Sequence, residues 1–149
     1  SVDVYKRQTL YKNFNTYENI ALGLRLRNFP LTVIDSRVKT AAKFLGIAEI
    51  LDKKLKAISD ADKQRTALCR AIVCQPKVML VDEDFARQDE NRRKEMISDI
   101  LKINRVMKIT VLYVTNNYEE AVSLGKRTVF MKDGKITHIS EAAEKRSKC

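Results

Sequence analysis

Asp82 and Glu83 close the apolar run Val78-Met79-Leu80-Val81. Two acids at the exit of a buried strand point to a site for magnesium and a nucleotide. The other half of such a site is missing from the sequence. A phosphate cradle needs the spacing G-x-x-x-x-G-K-[ST], because only glycines let backbone N–H groups come that close to a phosphate. The chain's four glycines, Gly23, Gly46, Gly125 and Gly134, include no pair at that spacing, and Gly125-Lys126 is followed by Arg127 instead of a hydroxyl.

The elements that must position these acids are legible from periodicity. Ile20, Ala21 and Leu24 share one helical face after Thr16, which is placed to cap it, and Asn28-Phe29-Pro30 ends that helix. A second helix is expected after Thr32, with Asp35 as its capping partner and Ile34, Val38, Ala41, Ala42 and Leu45 as its stripe; Gly46 stops it. A third runs from Ser59 through Ala67, Leu68, Ala71 and Ile72 to Gln75-Pro76 and leads into the Val78 strand. A long helix carrying Met96, Ile100 and Ile103 follows. Ile109 to Val114 is rich in β-branched residues and reads as a second buried strand. Asn116 with Glu119 opens a short helix, and Asp133-Gly134 joins residues 128–132 to 135–139 as a type I′ hairpin. The tail after Ser140 reads as helical or frayed. Strands alternating with helices predict an α/β fold with parallel pairing, helical cover and the hairpin at an edge.

With 149 residues, 44% hydrophobic and 32% charged, the chain has the makings of one domain or a large piece of one. It has no apolar run of membrane-spanning length and no signal-type N-terminus, so a cytoplasmic location is expected. Cys69, Cys74 and Cys149 are an odd set without C-x-x-C spacing, and there is a single histidine, which supports neither a disulfide framework nor a zinc site and favours reduced, buried thiols. The net charge of +10 is spread along the sequence. Only Lys53-Lys54 and the tail Lys145-Arg146-Ser147-Lys148 form patches, without interleaved aromatics, so nucleic acid is not the expected partner. Residues 1–8 are expected to be non-native: Asp3-Val4-Tyr5-Lys6-Arg7-Gln8 matches, in one frame, the translation of a transposon end used to tag DNA fragments.

The order of segments resembles the ATP-binding subunits of ABC transporters, most closely the branch that drives carbohydrate and glycerol-phosphate importers. Thr16 to Arg27 resembles the stretch after the family's Q-loop. Leu45-Gly46-Ile47 with Leu51-Asp52-Lys53-Lys54 resembles the end of its helical subdomain. Arg70 to Val73 with Gln75-Pro76-Lys77 resembles the run into Walker B, and Tyr113-Val114-Thr115, Glu119-Glu120-Ala121 and Asp133-Gly134-Lys135-Ile136 resemble its switch region and terminal hairpin. The resemblance implies a partial P-loop NTPase core, RecA-like, over residues 9–140, with a helical subdomain at about 16–75, the Walker A region absent and a basic tail at 141–149. It implies ATP and Mg2+ as cofactors. Asp82 falls on the aspartate that holds magnesium through water, Glu83 on the general base that polarises the attacking water, and Asp89 on the D-loop aspartate that crosses to a partner subunit, where a solvated acid at a helix start is the competing reading.

Three departures stand against activity. The family signature Leu-Ser-Gly-Gly-Gln, which binds the partner's γ-phosphate, reads here Ile58-Ser59-Asp60-Ala61-Asp62. Two glycines are lost, and a carboxylate about 4 Å from a phosphate costs about 4 kcal/mol at an effective dielectric of about 20. Ser59 with Asp62 also makes a serviceable capping box. The switch histidine corresponds to Asn116, which cannot carry imidazole's charge and reads more simply as a helix N-cap. The Q-loop glutamine falls on Lys6. The resemblance therefore implies a divergent, N-terminally truncated ATP-binding subunit, inactive as the isolated chain, whose partners are permease subunits and a second ATP-binding subunit, itself or another, at the inner face of the membrane. The alternatives are a non-catalytic interaction subunit, a nucleic-acid-associated member of the family and a decaying gene fragment.

Overall fold

The computed structural model describes residues 2–3, 10–82 and 90–141. The chain divides into two compact units, Ser1–Leu112 and Tyr113–Cys149. Glu83, Asp89, the Lys6 position and the basic tail lie outside the described residues.

In the first unit, strand β1 (Val2–Asp3) pairs in parallel with β2 (Val78–Val81), Val2 opposite Val78 and Asp3 opposite Met79, and β3 (Thr110–Tyr113) completes a sheet of order β1-β2-β3. Helices α1 (Thr16–Leu26), α2 (Leu31–Phe44) and α3 (Asp60–Ile72) precede β2, and α4 (Glu90–Met107) follows it. The predicted stripes are the buried ones: Ile20, Ala21 and Leu24 of α1, Ile34, Val38, Ala41 and Ala42 of α2, Ala67, Leu68, Ala71 and Ile72 of α3, and Met96, Ile100 and Ile103 of α4. Gly46 takes the positive φ of +70° that lets the chain leave α2.

Two helix starts differ from the expected ones. Asn15, not Thr16, caps α1: its side chain accepts from the Glu18 N–H while Glu18 returns a bond to the Asn15 N–H, and Thr16 is buried inside the helix, its hydroxyl donating to the Lys53 carbonyl at 3.1 Å. α2 begins at Leu31 behind Pro30 with no side-chain cap, so Asp35 is free of the capping role and pairs with Lys39 at 2.8 Å. Proline's fixed φ suits a helix entry without a polar cap.

β3 is not the buried strand its β-branched sequence predicts. Ile109 is buried, but Leu112 and the following Val114 are 53% and 52% exposed, so the described residues cover these side chains only in part, and β3 is also an edge of its sheet.

The second unit contains α5 (Tyr118–Leu124) and the hairpin β4 (Arg127–Lys132) with β5 (Lys135–Glu141). Asp133 and Gly134 have φ of 52° and 74°, as a type I′ turn requires. The hairpin is a separate two-stranded sheet and not an edge of the first, and β5 runs on through Glu141 past the predicted end. Asn117, not Asn116, caps α5, its side chain accepting from the Glu120 N–H at 3.0 Å.

Candidate nucleotide site

β2 is anchored by Met79 and Val81, each 1% exposed, and its register is held by the parallel pairing to β1 and by the Thr110 N–H donating to the Lys77 carbonyl at 3.0 Å. The chain therefore leaves the core at Asp82 with its carboxylate exposed, at the carboxyl end of a strand in a parallel pair. Ligands of α/β sheets bind at that end. A single carboxylate there suits magnesium, which keeps several waters and takes one or two protein acids together with substrate phosphates. Among the described residues no group of three or more His, Cys, Asp or Glu side chains is placed to hold a metal by itself.

The start of α3 is arranged differently from a phosphate site. Ser59 caps the helix, accepting from the Asp62 N–H at 3.1 Å and donating its own hydroxyl proton to the Asp62 carboxylate at 2.8 Å. Asp60 pairs with Lys63 at 2.8 Å and with Arg92, near the start of α4, at 3.3 Å. These cations, Lys63 first, hold the Asp60 carboxyl below the usual carboxylate range. One turn further, Arg65 donates to Asp99 at 3.0 Å and lies 3.7 Å from Glu95, so α3 and α4 are braced by two sets of ion pairs. The helix end that would attract an anion already carries two carboxylates, and Ser59's hydroxyl is occupied on both sides. These residues do not fit a triphosphate in this arrangement. Gln64, 8% exposed, has an amide nitrogen with no hydrogen-bond acceptor among the described residues.

Asn116 is exposed and belongs to the second unit, next to a short relay in which Thr115 donates to the buried Glu120 at 2.7 Å and accepts from the Asn117 N–H at 3.0 Å. Asp82 and Ser59 belong to the first unit, which brings the starts of α3 and α4 together through Asp60 and Arg92.

Sequence reasoning missed Asn19. Completely buried on α1, it accepts from the Tyr11 N–H at 2.8 Å and donates to the carbonyls of Tyr11, Phe14 and Asn15. It thereby fixes the segment that leads into α1, over which Arg70 of α3 stacks on the Tyr11 ring at 5.9 Å. A polar residue on an otherwise apolar face was the only available signal.

A strand of this kind ending in an acid, preceded by a layer of three helices, is the architecture of an ABC-type ATPase cassette, and the ABC transporter family model matches residues 2–86. The chain belongs to that family. It is 43% identical over 136 residues to the oligosaccharide import ATP-binding protein MsmX of Bacillus subtilis, covering 91% of this chain and 37% of the relative. It is 36% identical over 141 residues to the trehalose/maltose import ATP-binding protein MalK of Thermococcus litoralis, covering 95% and 38%. It is also 34% identical over 141 residues to a spermidine/putrescine import ATP-binding protein, PotA, of Borrelia garinii, covering 95% and 41%. The chain thus spans about two fifths of the length of the curated relatives it matches. Among solved structures, CbiO1 of Clostridium perfringens, part of the ABC transporter complex CbiONQ, superposes with a TM-score of 0.84 over 99% of this chain and 59% of that one; at 22% identity it speaks for the fold alone.

Proposed function

We propose that the chain is part of an ATP-binding subunit of an importer, that the solute is a carbohydrate, and that the chain by itself does not hydrolyse ATP. The observation that carries the reading is Asp82 at the exit of β2 in a chain of this family, with Glu83 next in sequence. Asp82 is assigned to magnesium through water, Glu83 to the general base, Asp89 to the partner-facing loop, and Ser59 and Asn116 to the altered phosphate contacts. Carbohydrate is favoured by MsmX alone, named for oligosaccharides, which shares 43% identity, against 34–37% for relatives named for spermidine/putrescine, 36% for the one named for trehalose/maltose and 35% for the one named for molybdate/tungstate. Inactivity is supported by the absence of a G-x-x-x-x-G-K-[ST] run and by the occupied Ser59 hydroxyl. Permease subunits and a second ATP-binding subunit are the proposed partners, at the cytoplasmic face of the membrane; no described helix is long and apolar enough to cross it. The test is phosphate release by the purified chain with Mg-ATP. No turnover above background is expected, and turnover that vanishes in Glu83→Gln overturns the inactive reading.

A second reading, a non-catalytic subunit that docks through residues 16–55, is favoured by the self-satisfied start of α3. Co-purification with a permease that is lost when those residues are deleted supports it.

A further inference from the structure

We draw no further inference here: the strongest candidate, the exposed apolar face that Val129, Met131, Ile136 and Ile139 form on the β4–β5 hairpin, carries nothing because nothing in the structure shows what covers it.

Discussion

Asn19 is a residue whose loss should be felt well beyond its own size. Asn19→Leu keeps the volume but strands the Tyr11 N–H and the Phe14 carbonyl, while the Tyr11 and Asn15 carbonyls keep the backbone N–H groups of Phe14 and Asn19. At about 1–3 kcal/mol for each stranded group that cannot reach water, a loss of about 2–4 kcal/mol in urea unfolding is expected. A change under about 0.5 kcal/mol would mean the segment finds water instead. The thiols divide in the same way. Burial pushes the Cys69 thiol far up and its Sγ–H donates to the Ala41 carbonyl at 3.3 Å, whereas Cys74 is only half-buried. In a Cys149→Ser background, a maleimide should label one thiol in the native state, Cys74, and a second only after unfolding. Reading caps from sequence failed by one position twice, at Thr16 for Asn15 and at Asn116 for Asn117. Adjacent polar residues both satisfy the pattern, and only the direction of the first N–H groups chooses between them.

At the scale of elements, the brace between α3 and α4 has a pH signature. The folded-state carboxyl of Asp60 titrates below its ordinary value, so its contribution is present above about pH 4 and is lost as pH falls through the lowered value. Acid melts between about pH 2 and 5 should therefore be steeper for the wild type than for Asp60→Asn, and parallel curves would show that the ion pairs are fully screened. β3 is the element that sequence misread. β-branched composition reports that a strand forms, but whether it is covered depends on residues far away in the chain, and here Leu112 lies open on an edge. Open apolar edges template aggregation. Leu112→Lys should lower light scattering at a given concentration without shifting the melting temperature by more than about a degree or two. The helical stripes were legible because each helix buries one periodic face, and that period is written in its own sequence whichever element covers it.

For the whole molecule, the family and the α/β fold were readable because long periodic segments recur in a fixed order. Of the candidate site, Asp82 follows β2 as the apolar run predicts, its role remaining a proposal, while Glu83 and Asp89 lie outside the described residues. The foreign-start proposal for residues 1–8 concerns a segment from which Val2 and Asp3 pair with β2. Sequencing the source DNA across the Thr9 codon decides it: the same six codons in the native locus would refute it. One feature of the helical layer has a mechanical side. α2 is a rod about 21 Å long, tied from its middle by Arg37 to Phe29 just ahead of its first turn and held at its last residue by Lys102 of α4, which donates to the Phe44 carbonyl at 2.6 Å and lies 4.6 Å over the Phe44 ring. A load applied at the α1–α2 corner would be carried along this strut as compression and delivered to the far half of α4, instead of being absorbed by bending near the corner.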